Sequence, residues 1–145
     1  MVSVIQRVTS ALVKINGESI ACIDTGVLAL VAIERGDDEA SARRLAKKLL
    51  NYRIFPDPNG KMNLNVSAAD GEVLLVPQFT LAANTKSGNR ASFSTAAAPE
   101  EGQRLFALFV EEVKKFHNPI SLGRFGADMQ IHLINDGPVT FILKT

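Results

Sequence analysis

Glu72-Val-Leu-Leu-Val-Pro-Gln-Phe-Thr-Leu-Ala82 is the stretch whose reading decides the fold. Val73 to Val76 form a short apolar run, β-branched at both ends, of the length of a buried strand. Pro77 follows, and a residue without a backbone donor sits poorly in a central ladder. The strand therefore ends by presenting an amide, an aromatic ring and a hydroxyl in succession, from Gln78, Phe79 and Thr80. Strand ends of this kind build pockets. A second stretch, Asn135-Asp-Gly-Pro-Val-Thr140, reads as a tight turn between two apolar strands. Its proline fixes φ and makes a cis bond accessible, which would aim the neighbouring carbonyls in unusual directions. Both devices are backbone features, and almost no titratable chemistry accompanies them.

Upstream of the first stretch, Val2 to Val8 alternate as a strand does, and Val13 and Ile15 carry the pattern to Asn16-Gly17, a hairpin signal. Ile20 to Ile23 form the return strand. Asp24-Thr-Gly26 turns the chain into Val27 to Ile33, apolar throughout and therefore expected to be buried on both faces. Gly36-Asp37-Asp38 opens a helix with acids at its positive end. Leu45, Leu49 and Leu50 share one side of it, while Arg43, Arg44, Lys47 and Lys48 form either a solvated face or an RNA patch. Asp57-Pro-Asn-Gly60 is a turn, and Met62, Leu64 and Val66 alternate with Asn63 and Asn65 as a half-buried strand.

Downstream, Asn84 to Ser94 is a polar loop beside the pocket, with Lys86 and Arg90 as its cations. Pro99 stands near the first position of a second helix, with Glu100 and Glu101 in its first turn. Leu105, Phe106, Phe109, Val110, Val113 and Phe116 recur as its core stripe, and Asn118-Pro119 stops it. Met129, Ile131 and Leu133 share a strand face, and Val139, Phe141 and Leu143 close the chain. There is no repeat and no linker. Strands in pairs between two main helices predict one α+β domain over residues 1–145, with a mostly antiparallel, barrel-like sheet.

A chain of 145 residues suits a single domain with a proper core. Sixteen basic residues against fifteen acidic ones give a formal charge of +1. That balance argues against a protein that coats phosphates, though not against one that touches only the end of a nucleic acid. The single cysteine, Cys22, excludes an intramolecular disulfide, and its apolar surroundings read as those of a buried structural thiol. The first residues are too short and too alternating for a signal peptide, and no apolar run reaches membrane-spanning length. A cytoplasmic protein is expected.

The usual catalysts are missing. His117 ends a helix, where a cation suits the dipole, and His132 lies on the polar side of a strand. Neither has a partner at metal-site spacing, and no nucleophile elbow or P-loop occurs. Asp136 is either a general base or an ordinary residue of an Asn-Asp-Gly turn. Thr80 as a nucleophile would need an adjacent base, which the local sequence does not supply. Backbone chemistry remains: amides after Gln78 as an oxyanion hole, and turn carbonyls as gates. Neither a cofactor nor a metal is expected.

Pro77-Gln-Phe-Thr-Leu81 and Asn135-Asp-Gly-Pro-Val-Thr140 resemble the two signature motifs of the D-aminoacyl-tRNA deacylases. Ile5-Gln-Arg-Val8, Tyr52-Arg-Ile-Phe55, Gly60-Lys-Met-Asn-Leu-Asn-Val66 and Gly123-Arg-Phe with Ala127-Asp-Met129 are similar to that family in the same order, over nearly the whole chain. The family's first motif usually begins with serine, where this chain has Pro77, and Gly126 stands where alanine is frequent.

The resemblance implies a homodimer with active sites at the subunit interface. Gly137-Pro138 of one subunit would enter the pocket of the other, exclude L-aminoacyl groups, and admit D-residues and glycine. The reaction implied is hydrolysis of the ester at the aminoacylated 3′ end of tRNA, including glycyl-tRNA mischarged on tRNA(Ala), with the substrate's own ribose hydroxyl taking part. Gln78, Phe79 and Thr80 would hold the terminal adenosine and polarise the ester through backbone amides. Arg7 would orient the Gly-Pro turn, and Met129 would wall the site. The alternative is a dimeric module on the same fold that binds nucleic acid without turnover. A serine or threonine hydrolase acting through Thr80 is a third reading.

Overall fold

The computed structural model describes residues 1–145. In chain order its elements are β1 (Val2–Ile15), β2 (Glu18–Ile23), β3 (Gly26–Ala32), α1 (Glu39–Asn51), the short pair β4 (Phe55–Pro56) and β5 (Met62–Leu64), and β6 (Glu72–Pro77). A 3-10 turn (Phe79–Ala82), α2 (Pro99–Lys114), β7 (Ile120–Leu122) and β8 (Gln130–Lys144) complete it. β1 is the spine. Its first half pairs antiparallel with β3, its second half with β2 through the Asn16-Gly17 turn, and β8 runs antiparallel along the other edge. Both turn residues have positive φ, 51° and 83°, the conformation that Asn-Gly tolerates best.

The sheet is mixed, antiparallel along β1 and parallel around β6, and it curls into a nearly closed barrel. β3 pairs parallel with β6, and β6 parallel with β7. The reason lies in the connections. Each of these strand pairs is joined through a helix, and a helical crossover returns the chain in its original direction. α1 and α2 consequently cover one face of the sheet. Val27, Ala29 and Val31 of β3 and Val73 and Leu75 of β6 pack beneath Leu45 and Leu49 of α1 and Leu105, Phe109 and Val113 of α2. The alternate residues, Leu28, Leu74 and Val76, pack inside the barrel with Val8, Val13 and Ile23. β3 and β6 are thus buried on both faces, as their unbroken apolar runs require.

α1 begins as expected: the Asp38 carboxylate accepts from the Ser41 N–H at 2.7 Å and from the Ser41 hydroxyl at 2.8 Å. Those bonds hold the Asp38 carboxyl below the usual carboxylate range. Arg43 pairs with Glu39 at 3.0 Å and with Glu112 of α2 at 3.5 Å, and Lys48 donates to the Lys144 carbonyl. The basic face is tied largely to the protein's own groups.

Several local expectations fail for identifiable reasons. Asn135–Thr140 is not a turn between two strands, because β8 continues through it in one direction. Gln6 pairs with Thr140 and Val8 with Asn135, so Arg7 alone on β1 faces four residues, Asp136 to Val139, on β8. The feature is a bulge, formed where Pro138 has no donor to offer the ladder. Cys22 is exposed, since β2 turns one side to solvent. Phe116 is exposed because α2 ends at Lys114, before the stripe reaches it. β5 stops at Leu64 because Asn65 uses its side chain and its carbonyl to cap a turn, accepting from the N–H groups of Ala68 and Ala69. His117 is half-buried beyond the helix end, and burial pushes its pKa below the ordinary 6.5, so it is no helix-capping cation.

Candidate active site

Pro77 ends β6 opposite Val31, and the ladder runs one bond further: the Gln78 N–H donates to the Val31 carbonyl at 2.7 Å. The chain then tightens into the 3-10 turn. The first bond of that turn is from the Leu81 N–H to the Gln78 carbonyl at 3.2 Å, so the Phe79 and Thr80 amides precede it and lack intrahelical partners. The Gln78 side-chain amide donates to the Thr80 hydroxyl at 2.6 Å. That bond spends the hydroxyl as an acceptor, and no histidine or carboxylate partners it.

Beside this turn lies a cleft of about 460 Å³, lined chiefly by apolar groups. Gln78 and Phe79 face it, together with Pro77, Met129 and Phe125, whereas Thr80 is not part of its wall. Met129 is held from two sides. Its sulfur accepts from the Arg124 N–H at 3.3 Å, and Gly123 leaves room for it: a Cβ there would lie 3.1 Å from the sulfur and 3.3 Å from Pro77 Cδ. Three parts of the wall carry no clear sequence signal as pocket residues. They are the start of α2 at Pro99 and Gly102, the loop residues Phe125 and Gly126, and Asp128, the cleft's only titratable side chain. Gly102 lies within ordinary contact of the Phe125 ring, a Cβ there standing 3.4 Å from it.

The bulge is built separately and with more hydrogen bonds. Asn135 stands in for the interrupted ladder: its amide nitrogen donates to the Arg7 carbonyl at 3.2 Å and the Val139 carbonyl at 3.0 Å, and its oxygen accepts from the Val139 N–H at 3.1 Å. Arg7, mostly buried, donates to the Ile54 carbonyl at 2.7 Å and places Nε 2.9 Å from the Asp136 carboxylate. Asp136 is therefore engaged by a guanidinium. Gly137 has φ +131°, and a Cβ on it would lie 2.7 Å from Val139 Cγ2 and 3.2 Å from the Arg7 guanidinium. The peptide bond between Gly137 and Pro138 is cis. Neither residue lines the cleft of its own chain. Arg7 and the bulge form one cluster, and Gln78, Phe79 and Met129 form another.

Outside these clusters the titratable groups include a surface ion-pair network between α1 and α2, in which Glu39 pairs with Arg43 and Arg104, Arg104 with Glu101, and Glu112 with Arg43 and Lys115. No helix is long and apolar enough to cross a membrane. His117 Nδ1 lies 3.0 Å from the Ser67 hydroxyl, and His132 is exposed on β8.

The whole chain has relatives. A family model described as D-Tyr-tRNA(Tyr) deacylase matches residues 4–144. The D-aminoacyl-tRNA deacylase of Pseudomonas fluorescens (strain Pf0-1) is 54% identical over 145 residues, covering 100% of both chains. That of Marinomonas sp. (strain MWYL1) is 58% identical over 139 residues, 96% of each. Among solved structures, the c-Myc DNA Unwinding Element Binding Protein superposes with a TM-score of 0.96 at 38% identity, over 100% of this chain and 99% of that one. A probable eukaryotic D-amino acid tRNA deacylase, at TM-score 0.79 and 16% identity over 99% and 98%, shares the fold. With full-length identity to curated members and a family model spanning nearly every residue, the chain belongs to the D-aminoacyl-tRNA deacylase family.

Proposed function

We propose that the protein hydrolyses the ester of D-aminoacyl-tRNA, releasing the D-amino acid and the tRNA, with each site completed by a second copy of the chain. The observation that carries this reading is the separation of the two signature motifs. Gly137 and Pro138 lie outside the cleft of their own chain, yet Arg7 and Asn135 hold them rigidly. A positioned bulge with no work to do in its own subunit suits insertion into another. The β8 face flanking it supports the same pairing, since Ile134 and Ile142 are 61% and 65% exposed.

In the dimer, Gln78 and Phe79 seat the terminal adenosine, and Met129 closes one wall. The Phe79 and Thr80 amides receive the charge that develops on the ester oxygen. Water supplies the attacking oxygen, the substrate's ribose hydroxyl relays its proton to the departing ester oxygen, and the C–O bond to the tRNA breaks, so no side-chain nucleophile or base is required. The Gly137-Pro138 bulge acts by crowding the side from which an L side chain projects, so that D-residues and glycine are admitted. Glycyl-tRNA(Ala) is accordingly a second substrate, and the site of action is the cytoplasm. Deacylation of matched D-, L- and glycyl-tRNA by the purified protein tests the reading. Turnover of the D- and glycyl esters with the L-ester spared is expected, and equal turnover of D and L would refute the exclusion.

A second reading has one finding in its favour, the solved structure of a DNA-element-binding protein at TM-score 0.96. A binding module on this fold would retain nucleic acid without any ester hydrolysis, so the same assay with binding measured in parallel separates the two.

A further inference from the structure

Phe79 and Phe93 form an exposed aromatic pair at the edge of the cleft. Their ring centroids lie 5.2 Å apart with planes tilted by 51°, and they are 58% and 46% exposed. Two phenyl rings left largely in water are costly unless something covers them. Phe93 is nonetheless held in place. The loop that carries it is closed by reciprocal bonds between Asn84 and Ser92, at 2.7 and 3.2 Å. Just beyond it, the Thr95 hydroxyl donates to the Ala82 carbonyl at the end of the 3-10 turn.

The charges around the pair are asymmetric. Lys86 and Arg90 of the same loop, and Arg35, whose N–H donates to the Thr95 carbonyl at 2.8 Å, make no ion pair. Three nearby carboxylates are engaged: Asp37 lies 2.5 Å and Glu34 3.5 Å from the Met1 nitrogen, and Glu101 is 2.8 Å from Arg104, while Asp128 of the cleft wall makes no ion pair. An aromatic platform flanked by unpaired cations has the chemistry of a single-stranded nucleic-acid site, in which a base stacks on the ring and the cations meet phosphate.

We infer that Phe93, with Lys86 and Arg90, forms a subsite for the unpaired nucleotide that precedes the terminal adenosine. The base stacks on the free face of Phe93, and the phosphodiester joining it to the adenosine passes along the loop cations. This rests on the proposed function for the identity of the strand, and it extends that reading beyond the ester and its adenosine. The near-neutral net charge is consistent with binding confined to the last few nucleotides.

The test compares the trinucleotide CCA with adenosine as ligands of the full-length protein. CCA is expected to bind about 5- to 150-fold more tightly. Phe93→Leu keeps an apolar side chain against Phe79 but removes the aromatic face, so it should reduce that advantage severalfold and leave adenosine binding unchanged. Phe93→Tyr should retain it. Replacing Lys86 and Arg90 together should flatten the salt dependence of CCA binding by roughly 0.7 in log–log slope for each phosphate that is no longer neutralised. Equal binding of CCA and adenosine by the unaltered protein would overturn the inference, as would leucine serving as well as tyrosine. A kinetic arm uses D-aminoacyl-adenosine beside D-aminoacyl-tRNA. A preference for CCA with neither ester hydrolysed would strike down the deacylase reading and leave the subsite. Hydrolysis of both esters with no preference for CCA would strike down the subsite alone.

Discussion

Gly137→Ala is the most searching perturbation of the bulge. The added Cβ would lie 2.7 Å from Val139 Cγ2, 3.1 Å from Val139 N and 3.2 Å from the Arg7 guanidinium. Val139 is buried, so its side chain has little room to rotate away. At φ +131° an L-residue adds backbone strain of about 1–3 kcal/mol. Overpacking adds about 1–3 kcal/mol more. Relief by displacing Arg7 would strain its bond to the Ile54 carbonyl and its pairing with Asp136. The expected loss is about 2–6 kcal/mol, which for a chain of this size lowers Tm by roughly 4–24 °C. Calorimetry reads the stability, and deacylation of D-aminoacyl- and glycyl-tRNA below the lowered Tm reads the site. Both activities should fall, because a displaced bulge obstructs the partner's cleft. A variant with Tm within about 1 °C of the parent and undiminished activity would refute both the packing argument and the role assigned to the bulge.

Four further outcomes are expected. Arg7→Leu leaves the Ile54 carbonyl and the Asp136 carboxylate without their partner, which should cost about 1.5–3 kcal/mol in denaturant titration, with Arg7→Lys recovering only part of it. Thr80→Val removes only the acceptor for Gln78, so kcat/KM should stay within about tenfold of the parent; complete loss with the fold intact would place the hydroxyl in the chemistry. Ile134→Lys with Ile142→Lys charges two side chains already exposed in the single chain, so sedimentation should report a folded monomer without activity; an active monomer would defeat the dimer. His117 has its pKa lowered by burial, so the unfolded chain takes up a proton first as pH falls. Stability should decline as pH drops below the ordinary value of 6.5, and His117→Gln should flatten that decline in urea titrations between pH 7 and 5.

Much of the fold is legible in the sequence because its signals are local. An Asn-Gly pair between alternating runs, an Asp three residues before a serine N–H, and unbroken apolar runs at Val27 and Val73 each carry their own physical reason. Expectation and structure part where a residue's fate depends on what stands beside it. Cys22 sits in an apolar run, but β2 leaves one side to solvent. Phe116 keeps the helical spacing, but the helix ends two residues earlier. The Gly137-Pro138 stretch has the composition of a turn, and only the long pairing of β8 with β1 makes it a bulge.

The candidate site divides in the same way. Gln78, Phe79, Gly137 and Pro138 stand out from sequence because proline and glycine restrict or free the backbone whatever surrounds them. Met129 and Arg7 enter through the family resemblance, and packing explains their positions: a glycine at 123 that admits the thioether, and a guanidinium caught between Ile54 and Asp136. Asp128, Phe125 and Gly102 join the wall only because α2 and the loop before β8 meet over the end of β6. Sequence by itself determined most of the elements and the two backbone devices. Tertiary structure decided the two parallel pairings of the sheet, the bulge and its separation from the cleft, because these depend on pairings between residues far apart in the chain, which no local periodicity encodes.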